Sequence, residues 1–96
     1  MKMKLTDENT MYMYEAILKL ETVEECVDFF EDLCTMQELK ALSQRLQVAK
    51  MLKDGYIYND IVKETGASTA TISRVNRSLS YGNNGYDIVF ERLENK

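Results

Sequence analysis

Short hydroxylated side chains and two arginines are concentrated in one segment, ETGASTATISRVNRSL, which runs from Glu64 to Leu79. No acidic residue follows Glu64 within it. Hydroxyl groups bind phosphate, threonine methyl groups contact thymine, and arginine and asparagine read the edges of guanine and adenine. The chemistry indicated is therefore contact with DNA. The residues predicted to make it are Asn59, Lys63, Ser68, Thr69, Ala70, Thr71, Ser73 and Arg77.

Two short helices joined by a glycine would position these side chains. The first helix of this pair is predicted to begin at Asn59, a suitable N-cap. It is predicted to end at Gly66, because positive φ is least costly for glycine. Ser68 or Thr69 would cap the second helix. The pattern predicts a helix-turn-helix over about residues 58–79. Helical spacing assigns the buried face of its second helix to Ile72, Val75 and Leu79.

Charge is unevenly distributed along this chain of net charge −4. Residues 1–35 hold three lysines and nine acids, a net charge of −6. Residues 36–79 hold seven basic and four acidic residues, a net charge of +3, and residues 80–96 hold two and three, a net charge of −1. The central region is therefore able to face a polyanion, whereas the first third is not.

The remaining pattern predicts an all-α fold of about six helices in a single domain spanning residues 1–96. The chain has 96 residues and no proline, and its apolar residues recur at helical spacing. The first helix is expected over about Asn9 to Leu20. Capping boxes at Thr22 and Thr35 then begin a second helix, which ends near Cys34, and a third helix.

Two further elements have predicted boundaries and inward faces. Gly55 is expected to end the third helix, and a last helix is expected to begin near Tyr86. The inward side chains of the third helix are predicted to be Leu39, Leu42, Leu46, Ala49 and Leu52. Those of the last helix are predicted to be Val89, Phe90 and Leu93.

The composition argues against several classes of function. Histidine is absent, and no nucleophile–base pair is evident, so we predict that the chain is not an enzyme and holds no metal or cofactor. No apolar run is long enough to span a membrane, and the N-terminus lacks the apolar core of a signal peptide, so the cytoplasm is expected. Cys26 and Cys34 are then expected to be reduced thiols that take part in packing.

The sequence from about residue 10 to residue 90 resembles the YerC/YecD branch of the Trp-repressor-like superfamily. The likeness rests on GASTATISRVNRSLSYGN, on the preceding LSQRLQVAKMLKDGYIYNDIVKET and on TVEECVDFFEDLCTMQEL. It implies an intertwined all-α homodimer that regulates transcription as a repressor. The two helix-turn-helix units of such a dimer would enter successive major grooves, roughly 34 Å apart.

The resemblance also implies a candidate effector pocket. Arg45 and Arg74 match two arginines that flank the tryptophan co-repressor in the family, and Ser78 matches a serine near the ligand's amino group. Val75 stands where the family has glycine. We expect its branched side chain to fill the pocket, so that tryptophan does not bind and the two arginines become structural partners of acids or helix carbonyls.

A second hypothesis belongs to a different class of function. The acidic helix Glu21–Asp32 and the apolar first helix would also suit a module that binds another protein. An αα-hairpin with a solvated polar face is the structural alternative to a DNA-binding unit.

Overall fold

The computed structural model describes residues 7–95, and the regular elements in that range are helices, with no strand. This confirms the predicted all-α class. The chain divides into two compact units, of which the first ends at Leu39 and the second begins at Lys40. The prediction of a single domain stays a prediction. The six helices are α1 (Glu8–Ile17), α2 (Val23–Leu33), α3 (Met36–Lys53), α4 (Tyr58–Thr65), α5 (Thr69–Tyr81) and α6 (Gly85–Glu94).

Local capping explains where the early helices begin. The Asp7 carboxylate accepts the N–H of Thr10, and hydrogen bonds from Thr10 lower the pKa of this carboxyl group. The box predicted at Thr35 is reciprocal: its hydroxyl accepts the N–H of Glu38, whose carboxylate accepts the N–H of Thr35. The hydroxyl of Thr22 caps α2 in the same way.

Two details of the first unit differ from the prediction. The carboxylate of Glu25 accepts the N–H of Glu21 at 2.8 Å, so the second half of the box at Thr22 is displaced by one residue. The first helix ends at Ile17 and not at Leu20. After Ile17 the chain continues as a turn. The extra residues were predicted to be helical because Leu20 continues the apolar spacing.

The helices of the first unit leave many apolar side chains accessible to solvent. Neither α1 nor α2, both wholly within the described residues, buries a side chain. Tyr12, Leu18 and Val23 are each more than 70% exposed. Cys26 and Cys34 are free thiols of intermediate exposure. Apolar surface on this scale favours association with another surface.

The second unit has an apolar core formed by α3, α4, α5 and α6. Ile72 and Val75 are buried, as predicted, and Leu79 packs against them. Contact with the same core comes from Tyr58 and Val62 of α4. The buried members of this core are Val48, Ala49, Ile61, Ala67, Ile72, Val75 and Phe90.

The predicted inward faces of α3 and α6 are partly wrong. Leu42 and Leu46 are 46% and 43% exposed, whereas Val48 is fully buried. In α6, Phe90 is buried but Val89 and Leu93 are about half exposed. Both helices have more apolar residues than one face can hold, so spacing alone selected the wrong members.

One cap of the helix-turn-helix differs from the prediction and two agree with it. The N-cap of α4 is Ile57, in extended conformation and without a side-chain cap, so Asn59 lies inside the helix. Gly66 ends α4 in the left-handed region with φ of 73°, and Ser68 caps α5, as predicted. The last helix begins at Gly85, one residue before the predicted start.

Oppositely charged side chains link α3 to α6. Lys53 Nζ lies 2.7 Å from Asp87 Oδ1, and Lys50 Nζ lies 3.1 Å from Asp54 Oδ1 and 3.8 Å from Glu94 Oε2. The hydrogen bond to Asp54 raises the pKa of Lys50. Among residues 7–95, no helix is long and apolar enough to cross a membrane.

Replacing Gly66 by alanine should destabilise the fold by about 1–2 kcal/mol, because an L-residue is strained in the left-handed region. Gly85→Ala is the matched control: at neither position would an added Cβ meet a heavy atom of a non-neighbouring residue within 4 Å, but only Gly66 of the two has positive φ. The control should be neutral or stabilising by up to about 1 kcal/mol. Urea unfolding followed by circular dichroism measures both changes, and equal effects would contradict the backbone explanation.

Candidate nucleic-acid interface

The outer surface of α5 is the first part of the candidate interface. Ile72 and Val75 point into the core, and at 100° per residue the opposite side is centred on Ala70 and Arg77. Ser73 and Arg74 lie about 50° from that centre and Thr69 lies about 90° from it, and all three are exposed. We call Thr69, Ala70, Ser73 and Arg77 the recognition face. It combines three short side chains with one long cation.

The first turn of α5 is fixed by its own hydroxyl groups. Ser68 Oγ accepts the N–H of Thr71 at 3.1 Å and donates to Thr71 Oγ1 at the same distance. Both residues were predicted to contact DNA, and here their hydroxyls serve the cap. The N–H groups of the first turn that have no intrahelical partner point out of the helix end, where an anion is favoured.

Two polar residues that were not predicted to matter fix the turn before α5. Thr65 Oγ1 donates to the carbonyl of Ile61 at 2.7 Å and accepts the N–H of Ala67 at 3.1 Å. Gln44 of α3 donates to the carbonyl of Thr65 at 3.1 Å. Gln44 lies four residues before the buried Val48 and so on the same side of α3, a position that the sequence alone did not single out.

Asn59 and Lys63, the two DNA-binding candidates in α4, are both exposed. They are four residues apart and so lie on one side of that helix. Asp60 and Glu64 are exposed in the same helix. The contribution of α4 to a positive surface is therefore limited to Lys63.

The four predicted effector residues surround one cleft of about 350 Å³, lined by Arg45, Thr71, Arg74, Val75, Ser78 and Tyr86. Val75 lines this cleft without closing it, and its side chain is 3% exposed. The expectation that it excludes tryptophan stays a prediction. Thr71 faces this cleft and not the recognition face. Within residues 7–95 neither Arg45 nor Arg74 forms an ion pair with an acid, which was one of the two expected structural roles.

A second, mainly apolar groove of about 460 Å³ separates α3 from α6. We call it the α3–α6 groove. It lies on the side of α3 where Leu46 is exposed, away from the buried Val48. Its lining residues are Ser43, Leu46, Gln47, Lys50, Met51, Phe90, Leu93 and Glu94.

Comparison with known proteins identifies the arrangement. The family model described as Trp repressor protein matches residues 8–94. The chain belongs to the Trp repressor family. This family consists of DNA-binding regulators and not of enzymes, which confirms the prediction that the chain is not an enzyme.

Individual relatives place the chain within the Trp repressor family. It is 50% identical over 91 residues to the uncharacterized protein YerC of Bacillus subtilis (strain 168), covering 95% of this chain and 88% of YerC. It is 58% identical to a TrpR-like protein from Eubacterium eligens ATCC 27750, with a TM-score of 0.89 over 92% and 91% of the chains. It is 54% identical to a protein from Staphylococcus aureus whose crystal structure is described as that of a putative Trp repressor. The TM-score is 0.89, and the match covers 93% of this chain and 89% of that one. The predicted resemblance to the YerC branch is confirmed.

Proposed function

We propose that this chain is a sequence-specific transcriptional repressor that binds the major groove of DNA as a homodimer, without tryptophan as co-repressor. The observation that carries the proposal is the recognition face. It is exposed and free of acids, and it lies opposite Ile72 and Val75, which hold α5 on the core. Membership of a family of DNA-binding regulators supports the same interpretation.

The chemistry of the recognition face suits close approach to a groove. Thr69, Ala70 and Ser73 are short, so the axis of α5 is able to lie near the bases. The methyl group of Thr69 and the hydroxyl of Ser73 provide one apolar and one polar contact. Arg77 supplies the cation for a base edge or a phosphate, and Lys63 supplies a second for the backbone. Asn59 is placed to support the backbone contact from α4.

A homodimer is supported by the apolar surface that one chain leaves open. Leu42 and Leu46 of α3 are accessible beside the α3–α6 groove, and α1 and α2 bury no side chain within the described residues. A symmetric partner would bury such a surface in a self-complementary contact. Two recognition helices held in this way would read two half-sites one helical turn apart, roughly 34 Å.

The proposal leaves tryptophan out because of Val75. The cleft is open, but a branched side chain lines it at the position where the family's motif has glycine. A ligand ring that approached the backbone there would meet the valine methyl groups. Arg45 and Arg74 also line this cleft, and their charges remain available to an anion or to DNA phosphate.

The alternative function, a module that binds another protein through α1 and α2, shares part of this support. The exposed apolar residues of α1 and α2 favour a protein partner in both hypotheses. The alternative gives no role to the recognition face. Binding to duplex DNA therefore separates the two hypotheses.

The first prediction concerns the salt dependence of DNA binding. The chain should bind a duplex selected from a random pool, and the logarithm of its affinity should fall steeply with the logarithm of salt concentration. Arg77→Ala should reduce that slope by about 1 if Arg77 contacts phosphate, or weaken binding by about 1–3 kcal/mol with loss of base preference if it reads a base.

The matched control is Arg92→Ala, which removes an exposed arginine from α6. Fluorescence anisotropy over a salt series should give this variant the wild-type slope and affinity. Failure of the wild-type chain to bind any duplex, or binding that salt does not change, would refute the proposal.

The second prediction concerns the homodimer. Sedimentation should show a dimer at micromolar concentration, and Leu46→Glu should shift it towards monomer, because a charge would be buried in the interface. Ile57→Glu, at an exposed site of the loop before α4, should leave the dimer intact. If the wild-type chain sediments as a stable monomer, the proposed recognition of two DNA half-sites by a homodimer is refuted.

The third prediction concerns tryptophan. Allosteric effectors typically change affinity about 5–150-fold, so a co-repressor would be readily detected. We expect the affinity for the selected duplex to change less than about twofold when saturating tryptophan is added, because Val75 obstructs the ring. Titration calorimetry of the DNA-free protein should likewise show no binding heat. An increase in affinity within the effector range would disprove this part of the proposal.

A further inference from the structure

Gln44, near the middle of α3, forms a hydrogen bond to the turn of the helix-turn-helix. Its Nε2 donates to the main-chain carbonyl of Thr65 at 3.1 Å, across 21 residues of sequence, in a partly buried position. The other side-chain hydrogen bonds within residues 7–95 join groups at most four residues apart. In the described range, Gln44 is thus the one uncharged side chain that ties α3 to a distant segment in this way.

The carbonyl to which Gln44 donates lies at the C-terminal end of α4. Thr65 is the last residue of α4, and Gly66 leaves the helical path, so the Thr65 carbonyl has no intrahelical donor. The hydroxyl of the same residue already binds the carbonyl of Ile61 and the N–H of Ala67. The turn is therefore fixed to α4 by Thr65 and to α3 by Gln44.

α3 and α5 also meet in the apolar core. Val48 and Ile72 are both fully buried members of the core. Apolar burial is not directional, whereas a hydrogen bond weakens steeply when its angle departs from linear. The core therefore holds α5 against α3, and the bond from Gln44 restricts how α5 is oriented there.

We propose that Gln44 is a positioning residue that sets the orientation of the recognition helix α5 relative to α3. The proposal rests on the proposed DNA-binding function. α3 carries Leu42 and Leu46, which we assign to the subunit interface, and α5 begins directly after the turn that Gln44 holds. In a homodimer the bond therefore helps to determine the distance and angle between two recognition helices. Those two quantities decide which half-site spacing the dimer fits.

The test removes the donor without removing the bulk of the side chain. Gln44→Met keeps the length and loses the N–H group, and Gln44→Asn keeps the amide but withdraws it by one methylene. Gln37→Met is the matched control, because Gln37 is an exposed residue in the first turn of α3. The Asn variant keeps the test open if the Met variant fails to fold.

Each variant is measured on three kinds of duplex: the selected site, the same site with its half-sites moved together or apart by a single base pair, and an unrelated sequence. Both Gln44 variants should lose about tenfold in the ratio of specific to non-specific affinity. They should also discriminate less between half-site spacings. Non-specific affinity and its salt slope should stay at the wild-type values, as should every property of Gln37→Met.

A merely stabilising hydrogen bond would lower the unfolding temperature and leave the specificity ratio and the spacing preference intact, and that result would overturn the proposal. Residual dipolar couplings of backbone N–H groups give a readout that does not involve DNA. They should report a changed orientation of α5 relative to α3 in Gln44→Met. Unchanged couplings would refute the positioning role even if the wild-type chain binds DNA. Changed couplings in a chain that binds no duplex would confirm the orientation effect and refute the DNA-binding function.

Discussion

The burial of Ile61 and Ile72 with Val48 is the interaction on which the rest of the second unit depends. Among the described residues these are the largest side chains that are completely buried. Ile61 comes from α4, Ile72 from α5 and Val48 from α3. Burying each stabilises the fold by roughly 1.5–3 kcal/mol. Because α5 is held by one apolar side only, its opposite side remains free to carry short polar groups. The accessibility of the recognition face is thus a direct result of where the core places α5.

α3 is shared between two surfaces. Val48 and Ala49 face the core, whereas Leu42 and Leu46 face outward beside the α3–α6 groove. A helix with two apolar sides needs two partners, and the second unit provides one of them. The second is the surface that we assign to another subunit. The same helix therefore supports both the DNA-reading element and the proposed dimer.

Sequence patterns predicted α5 well and α3 poorly, for one physical reason. α5 has a single apolar side, so spacing identifies Ile72 without ambiguity. In α3 the spacing that selected Leu46 is equally satisfied by a different side of the helix. The cleft beside Val75 was predicted to be closed because periodicity indicates burial but not the direction in which a side chain packs. Gln44 and Thr65 act through a main-chain carbonyl, which no pattern of side chains reveals.

The exposed apolar side of α3 has a consequence for how the cell would control this regulator. When two chains must associate to present two recognition helices, occupancy of the operator rises with the second power of chain concentration below the dimer dissociation constant. The concentration of the protein would then itself control how much of the operator is occupied. For the proposed homodimer, a modest change in synthesis or degradation would change operator occupancy more sharply than it would for a monomer.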